Sequence, residues 1–297
     1  MVNLDNITAV TKGKSDFIGH LTWYSVGKQL IEVNDLKNRL VQSGLDDVWM
    51  PNDIRPTDAF RRATKEVEQR KQTSNPNVFY NILVREVYSD QKSIQRNIVI
   101  ETVDQNGKRL SYKPKSAVIT LDKKNSTVSF VTDDPSIKEI CIQAENKFNI
   151  YKSHYSAQQL RVMVNKILQS LAPTPVRKSG GIYFIPVSKS SGLNQLIYFI
   201  NSLDNSEGYK VPVINSSDNR DMVSKKLYDH FESIFHDCRS KKNMKKGEIK
   251  ILVDEANKMI KDYRNYKTIV AEETESIEEM IARLKSEVSR LMMDMKV

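Results

Sequence analysis

Apolar and polar positions follow three regimes along the chain. Residues 20–33, HLTWYSVGKQLIEV, are rich in aromatic and β-branched side chains, which predicts one or two short strands. Asn34 or Asp35 then caps a helix carrying Leu36, Leu40 and Val41, and Gly44 ends it. Two prolines stiffen the turn at residues 50–56. Thr57 or Asp58 starts the next helix, which the pattern carries to about Gln72. Its apolar stripe is Phe60, Ala63 and Val67, with Arg61, Arg62, Lys65 and Arg70 mostly outside it.

The period then changes. Stretches 78–88, 96–103, 108–113, 116–121 and 127–132 are rich in Val, Ile, Thr, Tyr and Phe. Asp104-Gln105-Asn106-Gly107 and Asp122-Lys123-Lys124-Asn125-Ser126 lie between them. Asn-Gly is a strong hairpin signal because both residues tolerate positive φ. These features predict an antiparallel meander of four or five strands.

From Pro135 a helical period returns, first over about 135–148. Ser156 to Gln159 has the form of a capping box, followed by one face of Leu160, Met163, Val164, Ile167 and Leu171 that Pro173 and Pro175 stop. GGIYFIPVS at 180–188 reads as a buried strand. A helix with Leu193, Leu196, Ile197, Ile200 and Leu203 follows it, then a short strand at 209–214.

The last 80 residues are patterned as helix. Val223, Leu227, Phe231, Ile234 and Cys238 mark one stripe. Beyond a basic break, Ile249, Ala256, Tyr263, Val270, Ile277, Leu284 and Leu291 hold one heptad position. The partner position is apolar at Leu252, Met259 and Tyr266, fails at Glu273, and resumes one residue late at Ile281, Val288 and Met295. That shift predicts either a break near 268–275 or one long helix with a drifting stripe, and Glu272, Glu273 and Glu275 favour the break. Heptads of this length pack helix on helix, within the chain or with another copy. Self-association through Ile249, Leu252, Met259, Tyr263, Ile277, Leu284 and Leu291 is the expectation. The fold class expected is α+β: an antiparallel sheet with packed helices, then a coiled-coil-like C-terminal arm. The expected parts are 1–134, 135–215 and 216–297.

Composition narrows the classes. The chain has 297 residues, with 46 Lys+Arg against 37 Asp+Glu for a net charge of +9. No apolar run reaches the ~18–20 residues of a membrane span, so no membrane partner is expected. The opening MVNLDNITAV lacks a basic flank followed by an apolar core, so a secretory signal is not expected. Two cysteines, Cys141 and Cys238, make no disulfide framework, and a cytoplasmic location is the expectation.

Motifs for catalysis are sparse. Gly13-Lys14-Ser15 has the end of a phosphate-binding loop, but the glycine needed five positions earlier is Thr8. His230, His236 and Cys238 are close in sequence, yet Cys238 falls on the apolar stripe, so no metal site is expected. Asp122 and Lys124, with Glu101 and Asp104 one strand earlier, have a spacing found in metal-dependent nucleases, although Asp122 and Lys124 are ordinary hairpin-turn residues. No catalytic residue, metal or cofactor is assigned, and enzymatic activity is not expected.

Two basic clusters stand out. Arg55, Arg61, Arg62, Lys65, Arg70 and Lys71 outnumber Asp58, Glu66 and Glu68. Arg61, Arg62 and Lys65 could grip phosphate or carboxylate groups, or pair internally as Asp58–Arg62 and Glu66–Arg70. Arg239, Lys241, Lys242, Lys245 and Lys246 carry five positive charges with no carboxylate among them, as a nucleic-acid contact or a solvated loop.

Trp23-Tyr24, Gly44-Leu45, Pro51, Pro56 and Asp58-Ala59-Phe60-Arg61-Arg62-Ala63-Thr64 resemble a family of unknown function found in bacteria and their phages. Gly180-Gly181-Ile182-Tyr183-Phe184-Ile185-Pro186 resembles a second block of it. The resemblance spans about residues 20–200, leaves the C-terminal helices outside, and carries no catalytic residues. It implies a phage or mobile-element setting and, for a phage-encoded protein, the host cytoplasm. The expected function is a non-enzymatic interaction protein, homo-oligomeric through its arm, which blocks or assembles a larger protein complex such as a host-defence complex. The alternative is a nucleic-acid-binding accessory protein and, behind it, a metal-dependent nuclease.

Overall fold

A computed structural model describes residues 16–177, 179–240, 244–271 and 274–296. The mixed α/β chain divides into two bodies. The first takes the described parts of Met1–Gln29, Lys37–Met50 and Ala157–Val297, and the second takes Leu30–Leu36 and Pro51–Ser156. The expected borders after residues 134 and 215 do not coincide with this division. The helix after the meander packs back on the sheet, and the C-terminal helices share a core with the first strand.

In the second body, β3 (Gln69–Gln72), β4 (Val78–Ser89), β5 (Ser93–Asp104), β6 (Arg109–Asp122) and β7 (Thr127–Val131) form an antiparallel meander in chain order. Gly107 supplies the positive φ of +82° at the β5–β6 hairpin, and the Asp104 carboxylate accepts from the backbone N–H groups of Asn106 and Lys108. β6 runs through the two expected stretches as one strand, with a register shift between its halves.

α2 (Pro56–Lys65) and α3 (Pro135–Tyr151) cover one face of this sheet. Phe60, Ala63, Ile140, Ala144 and Phe148 share a core with Ile82, Ile98, Ile119 and Leu121, and the Phe60 and Phe148 rings meet edge to face at 6.3 Å. Pro56 starts α2, its fixed φ suiting the first helical position. The helix stops at Lys65, short of the expected Gln72. The polar run Gln69–Gln72 has no apolar side chain to bury on a helix, and as an edge strand it satisfies its backbone on β4. A separate pair, β2 (Leu30–Glu32) with β8 (His154–Ser156), completes this body's strands.

In the first body, β11 (Ser206–Ile214), β1 (Phe17–Val26), β10 (Tyr183–Pro186) and β9 (Thr174–Pro175) form an antiparallel sheet in that spatial order. Gly19 is required where β1 meets β10, because a Cβ there would lie 2.3 Å from the Ile185 carbonyl oxygen. α1 (Val33–Gln42) carries the chain between the bodies and ends at Gly44, whose φ is +76°. α4 (Ala157–Gln169) and α5 (Ser190–Ser202) bury Leu160, Val164, Leu193 and Ile200.

α6 (Ser217–Ser240), α7 (Lys246–Asp262) and α8 (Thr274–Lys296) close the chain. The heptad pattern breaks into α7 and α8, with a short 3₁₀ turn at Tyr263–Asn265 between them. Ile249, Leu252, Met259, Tyr263, Ile277, Leu284 and Leu291 are all buried in one core with Phe231 and Cys238 of α6 and with Ile18, Phe184 and Val213 of the sheet. The arm expected to self-associate is therefore part of a folded core. Its heptad side chains bury apolar area within the chain, leaving no seam on those residues for another copy.

Candidate functional site

α2 positions its cations by pairing. Asp58 accepts from Arg55 at 2.9 Å and Arg61 at 2.7 Å, Arg62 bonds Glu66 at 3.0 Å, and Lys65 bonds Glu68. The expected Asp58–Arg62 and Glu66–Arg70 pairs do not form: Asp58 is taken by Arg55 and Arg61, Arg62 turns to Glu66, and Arg70 lies on β3. The Arg62 guanidinium carbon also sits 3.8 Å from the Tyr151 ring centroid. Glu66 accepts from Lys147 and from the Tyr151 hydroxyl of α3 as well. Burial alone would raise the Glu66 carboxyl, but the Tyr151, Arg62 and Lys147 hydrogen bonds outweigh it and hold the group below its ordinary value. Arg61, Arg62 and Lys65 thus pair with nearby carboxylates, Asp58 on α2 and Glu66 and Glu68 just beyond its end, and Arg62 and Glu66 tie α2 to α3.

The second basic cluster falls at the junction of α6 and α7. Arg239 lies near the end of α6 with its guanidinium 5.8 Å from the Phe235 ring, while Lys245 and Lys246 are exposed at the start of α7. Lys241 and Lys242 lie outside the described residues, as does Gly13-Lys14-Ser15.

His230 and His236 do share a cleft of about 430 Å³, with Pro175, Arg177, Lys226 and Asp237 among its walls. His230 also lines a smaller cavity of about 100 Å³ beside Thr174, Lys258, Asp262 and Tyr266. There the Tyr266 hydroxyl donates to the Ala172 carbonyl at 2.5 Å and accepts from Thr174 at 2.9 Å, while Lys258 pairs with Asp262 at 2.8 Å. Burial, assisted by the Lys258 charge, lowers His230 to about 4, so its imidazole is neutral at physiological pH. Cys238 is fully buried, and burial raises its thiol to about 11. Among the described residues, no three His, Cys, Asp or Glu side chains are placed to hold a metal ion.

The carboxylates of the nuclease-like spacing are engaged locally. Asp122 accepts from the backbone N–H of Lys124 and Asn125 and from the Asn125 amide, which closes its own turn. Glu101 pairs with Arg109 at 2.8 Å. Asp104 caps the hairpin, as described above.

A different surface gathers exposed chemistry at the open end of the meander. Arg70, Asn81, Glu101 and Tyr112 form one row across β3, β4, β5 and β6, with Gln72, Phe79, Val103 and Arg109 in the row two residues along. The intervening row is Lys71, Tyr80, Thr102 and Ser111, on the other face. Ile82 and Ile100 share that other face and belong to the core with α2 and α3, so the Arg70–Tyr112 row faces away from those helices. The Arg70 guanidinium carbon lies 4.1 Å from the Phe79 ring centroid, and that of Arg109 lies 5.2 Å from Tyr112. Tyr112 is 46% exposed and Tyr80 43%. Over residues 69–72, 78–81 and 101–115 the cations are Arg70, Lys71, Lys108, Arg109, Lys113 and Lys115, against Glu101 and Asp104.

The sequence pointed to Arg70, Lys71, Glu101 and Asp104 in other settings and did not single out Phe79, Arg109 or Tyr112. The available signal was the run Arg109-Leu110-Ser111-Tyr112-Lys113-Pro114-Lys115, which is β-patterned yet basic, with no carboxylate and every residue exposed. The run shows no partner strand, and the Arg70–Phe79 contact requires the β3–β4 pairing.

The model of a family of unknown function, DUF6744, matches residues 17–297, and the chain belongs to that family. The match extends beyond the expected span of about 20–200 and takes in the C-terminal helices, which agrees with their place in the common core. No curated protein and no solved structure matches the chain. No helix among the described residues is long and apolar enough to cross a membrane.

Proposed function

We propose that this chain is a non-enzymatic binding protein that docks a larger partner on the open end of its meander. In the bacterial or phage setting that the resemblance implies, it would meet that partner in the cytoplasm and block or help assemble its complex. The observation that carries this reading is the cluster of cationic and aromatic side chains on one face of the paired strands, with Arg70, Arg109 and Tyr112 exposed and Phe79 half-buried among them. Such a cluster offers contact area at low entropic cost, because the strands already fix the backbone. The C-terminal helices serve as core in this reading, and the arm is not the docking surface.

The test is a photo-crosslinking amino acid placed at Tyr112 of the full chain in a bacterial cell, with Ile251, an exposed position on α7, as the comparison site. A discrete adduct at position 112 that is absent at 251 is the expected result. No adduct at 112, or the same adducts at both positions, would overturn the reading.

A further inference from the structure

We infer that the occupant of the meander's open end is a single-stranded nucleic acid; this rests on the binding reading above and names its partner. Three features of the two rows point to that chemistry. The cations of this face, Arg70 on β3 and Arg109 on β6, stand on either side of the aromatic rows, where they can meet a phosphate backbone laid across the sheet. The two aromatic residues that share a face, Phe79 and Tyr112, sit on β4 and β6 in adjacent rows, about 12 Å apart on the diagonal. Each has an arginine guanidinium beside it, and ring and guanidinium are both planes on which an unpaired base can stack. Asn81 stands in the same row, where its amide can both donate to and accept from base edges.

A duplex keeps its base faces buried in the stack and offers these rings nothing to cover them, so the fit is to a single strand. An acidic protein segment would use the cations and leave the aromatic pairing without a role. Glu101 pairs with Arg109 at 2.8 Å, and a phosphate reaching Arg109 shares that guanidinium with it. The basic residues of α2 and of the α6–α7 junction belong to other elements and are no part of this interface.

The experiment is fluorescence anisotropy of labelled oligo-dT and oligo-U of about twenty nucleotides with the full chain, at 50 and 200 mM salt. With two phosphate contacts, affinity falls about sevenfold between those concentrations, following a slope of about −0.7 per contact. Tyr112→Ala weakens binding by about tenfold or more at both salts. Arg70→Ala lowers the salt slope by about 0.7. Lys245→Ala with Lys246→Ala leaves affinity unchanged. Far-UV circular dichroism and thermal midpoints check that each variant is folded.

Absence of binding at 50 mM salt overturns the inference. So does binding indifferent to Tyr112, or binding governed by Lys245 and Lys246. Polyglutamate serves as the acidic-protein probe, and its binding through Tyr112 without oligonucleotide binding also overturns the inference. The crosslink separates the two levels. A nuclease-sensitive adduct at position 112 supports both, whereas a nuclease-resistant protein adduct keeps the binding reading and removes this one.

Discussion

Arg62 shows what a residue's own neighbourhood leaves undecided. Its sequence context supplies an acid four residues on, and the Arg62–Glu66 pair forms as helix spacing allows. Its other partner, the Tyr151 ring, lies 89 residues further along the chain on another helix, where no local pattern could point to it. Exposed pairs of this kind contribute about 0–1 kcal/mol each, so they fix the side chains more than they stabilise the fold. His230 differs, because its neighbours tax its charged form. With a folded value near 4 and an ordinary value of 6.5, the unfolded chain binds the proton more readily. Stability is therefore full above about pH 6.5 and is lost as pH falls toward 4, by up to about 3 kcal/mol. Thermal unfolding of His230→Gln followed from pH 7 to 4 checks this: the variant should lose less of its midpoint than the parent. Equal losses would show that other groups govern the acid limb.

At the level of elements, the period of the apolar residues located the meander, α4, α5 and the break in the heptads. The boundary between α2 and β3 escaped it. A four-residue polar run has no period, and its state was set by the free edge of β4. The heptads posed a different ambiguity, since a stripe states that a helix is covered without saying by what. Here α6 and the sheet of the first body supply the cover. A chain truncated after Lys245 loses α7 and α8 and uncovers Leu227, Phe231 and Cys238 of α6, together with much of the core they share. Such a fragment should be unfolded or aggregated, at a cost far beyond the 5–15 kcal/mol that holds a domain together. Circular dichroism and solubility of that fragment test the claim; a soluble, cooperatively folding product would restore the idea of a detachable arm.

For the whole molecule, the consequence is a chain whose longest apolar pattern is used internally. Light scattering should give the monomer mass of 34.2 kDa at both low and high salt. A stable dimer would mean that a surface other than the buried heptad positions brings copies together. The arrangement of the bodies also explains why linear borders misled. The meander body is inserted between α1 and α4, so the first body is assembled from segments separated by about a hundred residues. The two-proline turn at residues 50–56 marks the entry, and no linker of unusual composition marks the exit after Ser156.

What the sequence determined by itself is the set of elements and the faces they bury, because periods of 2 and 3.6 are imposed by backbone geometry and survive in any surroundings. It also fixed the hairpin turns at Asn106-Gly107 and Asp122, where the residues that close the turn are adjacent in the chain. The tertiary structure alone decided which faces meet: that the heptads cover α6 and the first strand's sheet, and that Arg70 reaches Phe79. It also decided that α2 spends its arginines on nearby carboxylates and on α3. Those outcomes depend on contacts between distant segments, whose free energies compete only once the chain has closed on itself.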